Sequence, residues 1–304
     1  MKPSTSFKLA AAALLLALGA VMPAQAQDFS KTEIKAEKLN DTTWMLVGAG
    51  GNMGLSVGED AVFLVDDQYA PMAPKIKAAI AAITSKPVKF VLNTHFHFDH
   101  TGGNEALGKE GALILAHENV RRRMSADQLI SFVGNSARQA ASPKVALPVI
   151  TVPGAISFHI NGEEVHAFHV PAAHTDGDLI VHFKGGDIVH MGDVFFNGSY
   201  PFIDAGSGGS PLGVIAAFDR VLALAGEKTK IIPGHGPLAD KAALQRTRDM
   251  LVTLVGRIQT ERRAGKSDEQ IRAAQPTADY DAVWGKGFIK PEQFVQLVLN
   301  GLPK

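Results

Sequence analysis

A four-layer α/β fold, helix–sheet–sheet–helix, is what this 304-residue sequence predicts. Three observations carry the prediction. Apolar runs of strand length gather in two stretches, residues 36–92 and 150–194. Helical patterns punctuate both stretches. The candidate ligand residues stand at the ends of the strand-like runs, with His95, His97, Asp99 and His100 directly behind Val88–Leu92.

Taken in order, residues 1–26 read as a secretory signal peptide. Lys2 and Lys8 form a basic start, Leu9 to Val21 is a short apolar run, and Ala24-Gln25-Ala26 is a small-x-small cleavage site before Gln27. That run is too short for a stable membrane span. Residues 27–240 are expected to form the main domain. It opens with a β-meander of Trp44–Val47, Gly54–Val57 and Val62–Asp66. Glycines 48, 50, 51 and 54 nearly spell a dinucleotide loop, but Met53 interrupts it and no helix pattern follows, so they read as hairpin glycines. A helix is expected over 72–84, then the strand Val88–Leu92. Ala112–Ala116 reads as a buried strand, and His117 opens a helix to Met124. Residues 125–148 show weak pattern and read as an irregular or mobile insertion, a lid being one possibility. Strands follow at 156–160, 165–170, 178–183 and 187–194, then a helix at 212–225 and a strand at 229–232. Beyond 240, Leu244, Leu251, Leu254, Val255 and Ile258 recur at helical spacing behind an Asp240 N-cap, and Ser267-Asp268-Glu269-Gln270 is a capping box. The extension 241–304 is expected to pack as helices on the same domain or to mediate dimerisation, since either hides an apolar face.

Composition narrows the function. Lysine plus arginine and aspartate plus glutamate number 30 each, and removing Lys2 and Lys8 with a leader leaves 28 against 30. No nucleic-acid or anionic-membrane partner is indicated, which leaves a small-molecule substrate; the oligomeric state stays open. The expected location is periplasmic or secreted. Cysteine is absent.

The chemistry concentrates in Thr94-His95-Phe96-His97-Phe98-Asp99-His100-Thr101-Gly102-Gly103-Asn104. On an extended chain His95 and His97 point the same way, and Asp99 and His100 can face that point from a Gly-rich turn. Imidazole and carboxylate without thiolate suit Zn²⁺, with Fe or Mn behind it. By contrast His159, His166, His169, His182 and His190 lie within strand-like runs and read as structural.

The run His-x-His-x-Asp-His after a strand resembles the metallo-β-lactamase superfamily. Ala173-His174-Thr175-Asp176-Gly177-Asp178, Met191-Gly192-Asp193 and Pro233-Gly234-His235-Gly236 follow in the same order as that family's later segments. The resemblance implies the αβ/βα sandwich of that family and two zinc ions. His95, His97 and His174 would hold the first, Asp99, His100 and His235 the second, and Asp193 would bridge them. It further implies hydrolysis by a metal-bridging hydroxide attacking a carbonyl, with Asp99 able to orient the nucleophile. One β-lactamase subclass of the family uses a Cys where Asp193 stands here.

The leader and the thiolate-free ligand set favour hydrolysis of β-lactams, cyclic amides. Asp193 favours a lactonase or a thioesterase resembling hydroxyacylglutathione hydrolase, and an alkyl-sulfatase-like variant is also open. A non-hydrolytic redox or accessory role is the third reading. Substrate contacts are expected from residues 197–211, with Tyr200 and Phe202 as an apolar wall and backbone N–H groups from Ser207 onward. Asn52 in the first hairpin is expected opposite.

Overall fold

The computed structural model describes residues 28–303; the expected signal peptide, 1–26, lies outside the described residues. Residues from Thr32 onward make one compact unit. The meander is present as β1 (Lys35–Lys38), β2 (Thr43–Val47), β3 (Met53–Val57) and β4 (Val62–Val65), all antiparallel. Helix α1 (Ala73–Ala81) leads to β5 (Val88–Leu92), which pairs with β4 in parallel. Short helices α2 (Phe98–Thr101) and α3 (Asn104–Lys109) precede β6 (Leu113–His117) and α4 (Glu118–Met124). His117 caps α4 by accepting from Asn119 N, the structural role expected of it.

Residues 125–148 depart from the expectation. They hold a β-hairpin, β7 (Gln128–Phe132) and β8 (Asn135–Gln139), turned by Val133 and a left-handed Gly134. Ile130 is buried in the main core, and Gln139 Nε2 donates to Phe96 O at 2.8 Å. The hairpin is therefore tied to the ligand-bearing segment.

The strand β9 (Ile150–Val152) closes a seven-stranded sheet of order β1-β2-β3-β4-β5-β6-β9. The second sheet has five strands: β10 (Ala155–Ile160), β11 (Glu163–His169), β12 (Leu179–Phe183), β13 (Ile188–His190) and β14 (Lys230–Ile232), in that order. Its last pair is parallel because α5 (Pro211–Leu224) crosses between them. Facing residues of the two sheets form one core. Phe63 and Val65 from the first sheet meet Val165, Val181 and Phe183 from the second, and Phe63 packs edge-on against Phe158 at 5.1 Å.

A second core fills the space between the five-stranded sheet and the helices. Phe168, Ile180, Val189 and Ile231 meet Phe218 of α5, Leu244, Leu251, Leu254 and Ile258 of α6 (Lys241–Arg263), and Phe294 and Val298 of α9 (Pro291–Gly301). The Asp240 cap and the Ser267 capping box are both formed, the latter opening α7 (Asp268–Ala273); α8 (Asp281–Trp284) is a single turn. With Ile76 and Ile80 of α1 buried as well, the architecture is the expected α/β sandwich of four layers with C-terminal helices. No helix among the described residues is long and apolar enough to cross a membrane.

Candidate metal centre

All seven expected ligands converge at adjoining strand ends. His95, His97, His174 and Asp193 form one cluster, and Asp99, His100 and His235 a second, with the ligand-type atoms in each within 4.8 Å of one another. In the first, His97 Nδ1 lies 3.1 Å from His95 Nε2 and 3.0 Å from His174 Nε2. In the second, His235 Nε2 lies 3.3 Å from Asp99 Oδ2. Asp193 stands between them with one oxygen to each side. Its Oδ1 is 3.0 Å from His100 Nε2 and 3.4 Å from His235 Nε2, while Oδ2 is 3.8 Å from His95 Nε2 and 3.7 Å from His174 Nε2.

The donor set fits cations. His100 Nε2 and Asp193 Oδ1 are buried and approach closely, yet neither has a hydrogen-bond partner among the described residues. Buried polar atoms normally find partners, and a shared cation satisfies both. Four of the five histidines also turn their other nitrogen to a fixed partner. His174 Nδ1 is 2.8 Å from Phe202 O, His97 Nε2 is 3.1 Å from Asp204 Oδ2, and His100 Nδ1 is 2.7 Å from Asp66 Oδ2. His95 Nδ1 lies 3.0 Å from Thr94 Oγ1, which donates to Asp66 Oδ2 at 2.7 Å. Such contacts set the tautomer and hold the ring in place for a metal.

Electrostatics divides the rings. Burial, reinforced by the other imidazoles, holds His95 well below its ordinary pKa, and burial brings His174 down to about 4. Burial also opposes protonation of His100 and His235, but there the carboxylates win. Asp193, Asp99 and Asp66 raise His100, and Asp193 with Asp99 lifts His235 to about 10. Burial works against the Asp193 carboxylate too, and the charge of His100 and His235 outweighs it, keeping Asp193 well below the usual range. The carboxylates of the second cluster thus stabilise positive charge on His100 and His235.

Asp66 and Asp204 were not singled out from the sequence. Asp66 leaves β4 with φ 61°, a left-handed conformation that Asp tolerates better than most residues. Its Oδ1 accepts from Thr94 N at 2.7 Å. An acidic residue at a strand end was the available signal. Glycine is required at position 51, where a Cβ would fall 2.0 Å from His100 Cε1.

The expected substrate contacts are corrected. Tyr200 is fully buried, stacks on Phe294 at 4.5 Å, and donates to Asp281 Oδ1 at 2.8 Å, so it packs the C-terminal helices. Ser207 N is engaged by Asp204, and the amides of Gly208, Gly209 and Ser210 by Ala205 O, Asp204 O and Ala173 O, which leaves that stretch no free donor for a substrate. Asn52 is 3% exposed and joins the first hairpin to the His235 turn; its Nδ2 donates to Pro233 O at 2.9 Å and Gly236 O at 2.8 Å. Phe202 does border the centre, 5.8 Å from His97 and 5.6 Å from His174, but is 4% exposed. Residues 197–211 thus buttress His97 and His174. His190 is structural, as expected: Nε2 lies 3.0 Å from Asn52 O and Nδ1 accepts from Gly192 N.

Fold and site together define a four-layer α/β sandwich with a candidate metal centre at its strand ends. The family model of the metallo-beta-lactamase superfamily matches residues 40–235, and the chain belongs to that superfamily. A hydroxyacylglutathione hydrolase of Nitrosococcus oceani is 30% identical over 146 residues, 48% of this chain and 47% of the relative. The Bacillus subtilis protein named "Probable metallo-hydrolase YqgX" is 28% identical over 60% of this chain and 86% of its own length. This chain therefore spans about half of the first of these relatives. Among solved structures, a metallo-beta-lactamase from Pontibacter korlensis superposes with TM-score 0.59 at 17% identity, covering 72% of this chain and 99% of that one. A sec-alkyl sulfatase reaches 0.66 at 17% identity, covering 87% of this chain and 49% of its own. Both likenesses concern the fold alone.

Proposed function

We propose that this protein is a two-zinc hydrolase of a small carbonyl substrate, with an ester-type acyl bond, lactone or thioester, as the preferred class. The observation that carries it is Asp193, whose two oxygens face the two ligand clusters. A carboxylate so placed holds two ions side by side. His95, His97 and His174 would hold one zinc and Asp99, His100 and His235 the other. Bound there, two ions would supply activation of a water and polarisation of a carbonyl. Asp99, its side chain 16% exposed, is the carboxylate of the centre that meets solvent, so it orients the attacking water and takes up its proton. Asp66 and Asp204 keep the rings aimed. Likeness to hydroxyacylglutathione hydrolases supports the ester class. β-Lactam hydrolysis is the second reading, favoured by the leader-like segment and the thiolate-free ligands. The same leader supports a periplasmic or secreted location, testable by N-terminal sequencing of the cell-borne protein.

The test uses zinc-loaded protein beginning at Gln27, offered a homoserine lactone, an acyl thioester and a chromogenic cephalosporin, each with and without chelator. Chelator-sensitive turnover of the lactone or thioester, faster than of the cephalosporin, is the expected result. Preference for the cephalosporin transfers the assignment to the β-lactam reading. No turnover of any of the three rejects both.

A further inference from the structure

Three phenylalanines from separate segments make a continuous path from solvent to the first ligand cluster. Phe202 lies against His97 and His174. Phe132, at the end of β7, lies 4.8 Å from Phe202, and Phe288, between α8 and α9, lies 5.6 Å from Phe132 in an edge-on contact. Exposure rises outward along the path: Phe202 is buried, Phe132 half-buried, and Phe288 is 71% exposed. An isolated exposed Phe is ordinary. One that completes an aromatic path ending on candidate metal histidines has a different setting.

The path is held firmly. Ile130 anchors the same face of β7 in the core two residues before Phe132. Gln139 Nε2 bonds Phe96 O at one end of the hairpin, and Gln293 Nε2 donates to Val133 O at 3.1 Å from α9. This wall stands where Tyr200 was expected to provide one.

We propose that Phe132 and Phe288, backed by the buried Phe202, form an apolar wall selecting substrates with a hydrocarbon acyl chain, the reacting carbonyl lying at the ligand clusters and the chain running outward along the rings. This rests on the hydrolase reading for the site at its inner end. The occupant follows from continuity: Phe202 is in ring contact with His97 and His174, so the rings line a direction outward from a carbonyl at the clusters to solvent.

Two measurements test it on the zinc-loaded protein. Calorimetry with straight-chain alkanoates from acetate to decanoate reads binding without turnover, and kcat/KM for acyl thioesters of the same lengths reads selection. Affinity and kcat/KM should rise with each methylene, by at most about fourfold for one fully buried. F288A, at an exposed position and so without risk to folding, should flatten the rise for the longer chains. A flat series in the native protein, or a native-like series in F288A, overturns the wall. Thioesters turned over equally at every length leave the hydrolase reading intact and reject the wall. A sloped alkanoate series without thioester turnover supports the wall and rejects the thioester reading, leaving the lactone assay to decide the ester class. A change of molecular mass in F288A, with the length dependence intact, assigns the ring to self-association and overturns the proposal.

Discussion

Replacing Asp66 by asparagine alters one charge and no volume, yet it should loosen both ion sites. The carboxylate serves three donors: Thr94 N at Oδ1, and Thr94 Oγ1 and His100 Nδ1 at Oδ2, each at 2.7 Å. An amide has one acceptor oxygen. If that oxygen faces His100 and Thr94 Oγ1, the NH₂ confronts Thr94 N–H. If it faces Thr94 N, the NH₂ confronts His100 N–H and the hydroxyl. Either orientation opposes donor to donor in a buried setting, and loss of one hydrogen bond to a charged group costs about 1.5–3 kcal/mol. That corresponds to roughly 10–100-fold in metal affinity, the usual scale for groups that orient a metal histidine. His100 suffers directly and His95 through the Thr94 hydroxyl, so the second ion should weaken more. Competitive titration with a chromophoric zinc chelator measures both affinities, and far-ultraviolet circular dichroism checks the fold. Two ions held at native affinity by folded D66N would refute the orienting role.

Two further outcomes follow. Y200F should keep zinc content and kcat/KM while losing about 0.5–1.5 kcal/mol of stability to denaturant, because the hydrogen bond to the half-buried Asp281 carboxylate is lost; a large fall in kcat at native stability would return Tyr200 to the substrate site. In metal-free protein His174 has a folded pKa of about 4 against 6.5 unfolded, so its contribution is present above pH 6.5 and lost as pH falls towards 4. That amounts to roughly 3 kcal/mol across the window, and urea midpoints unchanged between pH 7 and pH 4 in the metal-free protein would contradict it.

The candidate ligands were legible because each lies in a short segment with its own signature. Four of them fall within six residues after a strand, and His235 sits in a turn of Pro and Gly where a bare loop has no reason for imidazole. Strands and helices of the main domain followed from periodicity, since most are long enough to show it. The supporting carboxylates were not legible. Asp66 and Asp204 meet His100 and His97 across 34 and 107 residues, and no local spacing records such a contact. Tyr200 misled for the converse reason: it is near Asp193 in sequence, but the chain turns it toward α9. The 128–139 hairpin was missed because Leu129, apolar yet exposed, sits beside buried Ile130 and breaks the apolar–polar alternation in the sequence.

The ligand clusters also bear on durability. They gather side chains from distant parts of a chain without cysteine, His97 and His174 being 77 residues apart. A disulfide closing a loop of that order restrains the unfolded chain by roughly 4–5 kcal/mol. Ions held as proposed would grip the same side chains as staples of comparable reach, with the difference that they can be withdrawn. Persistence of the fold would then vary with the free zinc of the surroundings, as RT ln(1 + [Zn]/Kd). If zinc is held as proposed, a metal-starved molecule would be both inactive and less stable, and proteolysis would clear it first.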